Sequence, residues 1–281
     1  MSFDPKPGTY YRMPVFFGPT PGPRQWPQDE PFDPADQTAT MASVNFLTRA
    51  QQLEPFLPPG FALWDEPVAT LDITWMRNIP WLAGRGYAMS DFKVPAIYQG
   101  AEGPVHGVFV LVRWESLADP ILSGRDELGH NKLYCEIPDL TDPESRPRTS
   151  LSWLGHVFAE LELWDLEPAA PAAPDPLDQG QLHFKWVPRT GHPGEADAAY
   201  ATLSPPPTAP GAVTLLDHRT GQGSFRYKPT RWRDFPFCHR VISAIAELDQ
   251  LEPRGASLTR TKGSVPTPGS NTRIVQAAGA R

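Results

Sequence analysis

Lys132 has the setting most suited to chemistry in this chain. It stands in SGRDELGHNKLYCEIPD (123–139), where a polar turn bearing Arg125, Asp126, Glu127 and His130 passes through one lysine into the apolar alternation Leu133, Tyr134, Cys135. Only six lysines stand against nineteen arginines, and the other five (Lys6, Lys93, Lys185, Lys228 and Lys262) are placed unremarkably. An ammonium drawn toward an apolar interior loses hydration, so its pKa falls and the neutral amine becomes a nucleophile. Such an amine condenses with a ketone to give an imine. Once protonated, the imine withdraws electrons, so a neighbouring C–C bond breaks or an enamine forms. The same spacing fits a lysine that closes a surface turn by pairing with Asp126 or Glu127. As the first residue of a strand, Lys132 is expected to tolerate truncation without loss of the fold.

Other side chains could assist. In EPVATLDITWM (66–76), Leu71, Ile73 and Trp75 share one strand face, and Val68, Thr70, Asp72 and Thr74 share the other. Asp72 either orients substrate and shuttles a proton or is a solvated strand residue. Arg125 either grips a substrate carboxylate in a bidentate fork or braces the loop against Asp126 or Glu127. Glu127 has the same two readings. His130, two residues before Lys132, falls on the same side of an extended segment. As imidazolium it would depress the lysine pKa, and as neutral imidazole it would move protons. Its plain reading is a turn histidine. Met89 and Tyr87 are pocket-wall candidates or core residues. Arg254 and Arg260 are further candidates to reach the pocket.

Standard signatures are missing. There is no GxGxxG, GxxxxGK[ST] or GxSxG, and the seven histidines show no HExxH or HxH spacing. No metal and no cofactor are expected. The 281 residues carry a net charge of −7, which argues against nucleic acid and acidic membranes as partners. The N-terminus lacks a leader pattern, and no apolar run of about 18 residues exists. Two cysteines, Cys135 and Cys238, make no disulfide framework, so a cytoplasmic location is expected.

The elements that must hold these residues are short, since 35 prolines favour short strands and ordered loops over long helices. Residues 1–37 read as an extended arm anchored by Phe16, Phe17 and Trp26. Strands are expected at 66–76, 106–115, 133–137, 181–188 and 222–228. A connection of about 17 residues, 116–132, carries the lysine turn. Residues 166–176 read as a surface insert and SPPPTAP (204–210) as a stiff loop. One long C-terminal helix is expected from an Asp234 cap to Pro253, with Phe237, Val241, Ala244, Ile245, Leu248 and Leu251 on its apolar face. With no βαβ rhythm, the chain is expected to be a β-rich α+β single domain spanning 1–281, built on antiparallel sheet.

GRDELGHNK (124–132) resembles the Gly-Arg-Glu…Gly/Ala-x-Pro-Lys segment of the acetoacetate decarboxylase superfamily, with Lys132 on the Schiff-base lysine. YRMPVFFGP (11–19), FLPPGFALWDEPVATLDI (56–73), LHFKWVPRTG (182–191) and the 230–251 run are similar to family segments in the same order. The departures are specific. Leu133 stands where the family decarboxylase has a second lysine. Asp72 is a shorter version of one pocket acid, and Met89 falls on the other. The family's pocket arginine has no match, with Ala39 nearest.

The resemblance implies a cone-like barrel around an internal pocket and a homo-oligomer. It implies a cofactor-free lyase that forms a Schiff base with a small keto acid through Lys132. The outcome is either aldol condensation and dehydration of a pyruvate-like acid or decarboxylation of a β-keto acid. The competing reading is a non-catalytic pocket protein in which Lys132 is a counter-ion.

Overall fold

The computed structural model describes residues 4–277, apart from 21, 23, 28, 174, 207–212 and 265–270. Most of the expected stiff loop, from 207 onward, therefore lies outside the described residues. After the arm come β1 (Thr38–Leu47), helix α1 (Ala50–Leu53), β2 (Phe61–Leu63), β3 (Val68–Ile79), β4 (Arg85–Gly100) and β5 (Gly103–Glu115). Helix α2 (Ala118–Ser123) runs straight into a π-helical turn, Gly124–Leu128, and then into β6 (Lys132–Tyr134). The remainder is β7 (Arg148–Trp153), β8 (His156–Pro168), β9 (Gln181–Pro188), β10 (Ala196–Ser204), β11 (Thr214–Tyr227), helix α3 (His239–Ala246), β12 (Glu252–Lys262) and β13 (Arg273–Val275).

Among the described residues the strands form one sheet in the order β13-β10-β9-β5-β4-β3-β1-β12-β11-β8-β7, with β2 added on β4 and β6 on β5. The pairing is antiparallel except where β6 and β9 meet β5. The expected cone-like barrel is corrected here. The ladder runs from β13 to β7 without closing.

The branch at β5 matters most for function. Its Val108–Phe109 end pairs with β9, and its Arg113–Glu115 end pairs with β6. Asn131 fills the gap between them: its Nδ2 donates to the Val110 carbonyl at 2.7 Å, and its own carbonyl accepts from Arg113 N at 2.8 Å.

Alternation places Leu71, Ile73 and Trp75 of β3 in a core with Phe92, Trp114, Phe158 and Phe225. Asp72 and Thr74, on the opposite face, are buried as well. A strand covered on both faces marks an interior polar layer rather than a solvated surface.

The long C-terminal helix is not present, and α3 is only His239–Ala246. Asp234 does not cap it. Its carboxylate instead takes the Arg231 guanidinium, with Nε at 2.7 Å, inside a preceding turn. Phe237 is 88% exposed, whereas Phe235 is buried and stacks on Trp153 at 4.6 Å. Pro253 does not stop a helix but sits in β12, beside the irregular step of the β1 pairing, where a missing N–H is tolerated. The chain leaves α3 early because β12 must pair with both β1 and β11. The arm's anchoring is also corrected: Phe16 and Phe17 face outward, and Arg12, Arg24 and Trp26 make the inward contacts.

Candidate active site

Lys132 opens β6, parallel to β5 and in register with Arg113. Its side chain is fully buried and ranks among the largest wholly enclosed side chains of the protein. The Nζ lies 2.7 Å from Glu115 Oε1 and donates to the Pro120 carbonyl of α2 at 2.8 Å. Gly124, first residue of the π turn, lies flat against the lysine. A Cβ there would sit 2.6 Å from Nζ and collide with Cδ and Cε as well. That close approach requires glycine at 124. The turn then ends at Gly129, whose φ of +73° is a left-handed conformation suited to glycine.

This enclosure sets the electrostatics. Burial pulls the Lys132 ammonium down to about 7; the Arg24 guanidinium adds to the fall, while Glu115 resists it. A neutral amine is therefore available near physiological pH. The partner is Glu115, not Asp126 or Glu127. The signal for it was present in HGVFVLVRWE (106–115), where Arg113 and Glu115, two apart, place charges on one face of an apolar strand.

A second buried network lies beside the lysine. Arg113 grips Asp91 in a fork, with both contacts at 2.6 Å, and reaches Gln181 at 2.8 Å. Lys93 pairs with Asp72 at 2.5 Å. Burial opposes the Lys93 charge, but Asp72 and Asp91 outweigh it and hold its pKa above the ordinary value. Lys93 is thus not the unremarkable residue its sequence position suggests. Asp72 and Asp91 are directly opposed across β3 and β4. Two facing carboxylates in the interior are tolerable because each has its own cation.

The remaining predicted residues separate into two groups. Met89 is half-buried and stands opposite Thr74 on one side and Glu115 on the other, one strand from the lysine. Tyr87, two residues earlier on the same face, packs edge-on against Trp81. His130 is close in sequence but aimed elsewhere. Its ring stacks on His183 at 4.1 Å and its Nε2 meets Ser204 Oγ at 3.0 Å. Burial first, then His183 and Arg113, drive its pKa well below the usual value. It is neutral at physiological pH, so the expectation of an imidazolium depressing the lysine is corrected.

Arg125 is exposed and braces the Lys132 backbone carbonyl at 2.9 Å rather than an acid or the pocket. Glu127 holds the arm through Arg12 at 2.8 Å. Leu133 lines an outer groove with Arg125. Arg254 and Arg260 pair with Glu66 and Glu144, away from the lysine.

Two recesses flank the arm. One of about 430 Å³ is lined by Arg12, Arg24, Trp26, Trp81, Asp119 and Ser123. The other, about 200 Å³, is bounded by Arg24, Trp26, Ala39, Met76, Trp81 and Tyr87. Arg24 belongs to both and holds a left-handed φ of 58°. Its guanidinium lies 5.9 Å over Trp81, and its Nε is buried without a hydrogen-bond partner. Arg24 and Ala39, the nearest sequence match to the family's pocket arginine, both border the smaller recess. No alignment-free signal distinguished Arg24 from the other arm residues.

Comparison with known proteins bears on the family and the fold. Residues 12–269 match the model of the acetoacetate decarboxylase family, and the chain belongs to that family. Its fold is similar to that of an acetoacetate decarboxylase at 14% identity and TM-score 0.67, covering 89% of this chain and 93% of the other. The acetoacetate decarboxylase of Legionella pneumophila is similar at 18% identity and TM-score 0.61, covering 93% and 94%. The enduracididine biosynthesis enzyme MppR, complexed with the condensation product of pyruvate and imidazole 4-carboxaldehyde, is similar at 16% identity and TM-score 0.60, covering 85% and 88%. No curated protein matches the chain in sequence. Among the described residues no helix is long and apolar enough to cross a membrane, and no cluster of potential metal ligands is found.

Proposed function

We propose that this protein is a lyase that binds a small keto acid covalently through Lys132. The observation that carries the reading is the wholly buried Nζ, pulled to a pKa of about 7 by its surroundings. The neutral amine attacks the ketone carbon, water leaves, and a protonated imine forms. A β-keto acid then loses CO2 as the C–C electron pair moves into the imine. A pyruvate-like acid instead loses a proton to become an enamine, adds to an aldehyde and dehydrates. Hydrolysis frees the product and the lysine. Asp72 supports the site as the counter-ion of Lys93.

Arg24 is the cation for the substrate carboxylate. Arg113 and Lys93 are taken by Asp91 and Asp72, whereas the Arg24 Nε has no partner. A guanidinium is well shaped to receive a carboxylate in two parallel hydrogen bonds. Tyr87 borders the smaller recess and Met89 lies opposite Glu115, which supports a role for both in seating the substrate. Entry requires α2 to move, because its Pro120 carbonyl caps the Nζ.

The test is reductive trapping. The protein is incubated with pyruvate or acetoacetate, treated with borohydride and weighed. A mass increase matching the reduced imine is expected for the wild type and none for Lys132→Met. No adduct with either acid in the wild type refutes the reading.

A further inference from the structure

We infer that Glu115 is the acid–base group of this site: it removes the proton from the carbon next to the imine and so directs a bound ketone into enamine chemistry. The inference rests on the Schiff-base reading above and adds a residue and a proton to it.

Position carries the argument. Glu115 Oε1 is 2.7 Å from the Lys132 Nζ, and both side chains are completely enclosed. Apart from that ion pair, neither carboxylate oxygen accepts a hydrogen bond among the described residues. Its neighbour across the β4–β5 ladder is Met89, which offers no donor. Once the lysine nitrogen is bonded to a ketone carbon, the imine carbon lies one bond from the nitrogen and the adjacent carbon two. A base in contact with the nitrogen is then within reach of hydrogens on that adjacent carbon.

The other acids and bases nearby are occupied. Asp91 has both oxygens on Arg113, Asp72 is tied to Lys93, and Glu127 is tied to Arg12. The His130 and His183 rings stack on each other, and neither is hydrogen-bonded to Lys132 among the described residues. Glu115 alone among these acids has its carboxylate directed at the nucleophile.

The proton balance closes without any added reagent. The Lys132–Glu115 ion pair holds three protons. The ammonium passes one to Glu115, and the neutral nitrogen attacks the ketone carbon. A second moves from the adduct nitrogen to the former carbonyl oxygen. Glu115 then returns the first to that hydroxyl, which leaves as water with the C–O electron pair. The nitrogen keeps its remaining hydrogen in the iminium. The Glu115 carboxylate then takes a proton from the adjacent carbon. The C–H pair becomes the enamine double bond, and the iminium π pair returns to nitrogen.

The experiment follows loss of the pyruvate methyl proton signal in D2O by NMR, alongside borohydride trapping, for the wild type and Glu115→Gln. Removing a general base costs on the order of 10²–10⁴-fold. Exchange is expected to fall at least about 100-fold in the variant, while the trapped adduct still accumulates on longer incubation, with solvent supplying the protons of imine formation. Exchange within about threefold of wild type, with trapping intact, reduces Glu115 to a counter-ion and overturns the inference. Absence of both signals in the wild type refutes the Schiff-base reading itself. If Glu115→Gln does not fold, Glu115→Asp keeps the charge but withdraws it by one methylene. Exchange lowered about tenfold or more with trapping preserved supports the assignment, and unchanged exchange overturns it.

Discussion

Lys132 Nζ and Glu115 Oε1 sit 2.7 Å apart with no surface of either side chain in water. Removing one member of such a pair leaves the other charged and buried, which costs about 3–5 kcal/mol. Lys132→Met is therefore expected to lose about 3 kcal/mol or more in urea unfolding at neutral pH. The double variant Lys132→Met/Glu115→Gln is expected to recover much of that loss. A Lys132→Met protein as stable as wild type would contradict this. The premise that Lys132 begins a strand rather than filling a core is corrected, because its side chain is wholly enclosed.

Gly124 and Lys132 set a second prediction. A methyl group at 124 meets Nζ at 2.6 Å and overlaps the end of the lysine chain. Overpacking of an enclosed site costs about 1–3 kcal/mol. Gly124→Ala is expected to slow borohydride trapping at least about tenfold, equivalent to 1.4 kcal/mol in the barrier. Trapping at the wild-type rate would show that the lysine is not held against this turn.

Arg24 has two separable effects. Its charge lowers the Lys132 pKa, and its side chain borders both recesses. Arg24→Gln removes a positive neighbour, so the lysine should hold its proton more tightly. The pH profile is expected to move alkaline by roughly half a unit to one unit. The KM for a keto acid is expected to rise by about tenfold or more, the scale of one charge-assisted hydrogen bond. An unmoved profile with an unchanged KM would remove Arg24 from the site.

His130 is expected to behave differently. Its ring is neutral, stacked on His183 and bonded to Ser204. His130→Asn is expected to cost about 1–3 kcal/mol of stability, the scale of a buried polar group losing its partner. The midpoint of the trapping profile should stay within roughly 0.3 units of wild type, since no charge is removed near the lysine. A clear acid or alkaline shift would restore the histidine to the chemistry.

The sequence made parts of this site legible for physical reasons. A lysine at the start of an apolar alternation stood out because period-two patterning predicts burial there. The Leu71, Ile73, Trp75 face was visible for the same reason. Lys93 was not, because a strand lysine reads as solvated until the opposing Asp72 is seen beside it. Glu115 shares a strand face with Arg113, which hinted at buried charge, but only the parallel addition of β6 brings Lys132 to it as partner. Arg24 lies in a proline-rich arm with no periodicity, so nothing local tells which side chain turns inward. The overlong helix at 234–251 came from apolar spacing alone. The demand of β12 for two partner strands overrides that spacing after Ala246.

The central claim is an amine whose enclosure brings its loss of charge down to near neutral pH. The measurement that tests it most directly is the rate of borohydride-trapped adduct formation at Lys132, located by peptide mass, from pH 5.5 to 10. The account predicts a rise that levels off with a midpoint near 7, where burial sets the lysine. One unit below that midpoint the rate should be about a tenth of the plateau, as expected for a single titrating amine. A rate that keeps climbing to pH 10, as for an ordinary exposed lysine, would contradict it.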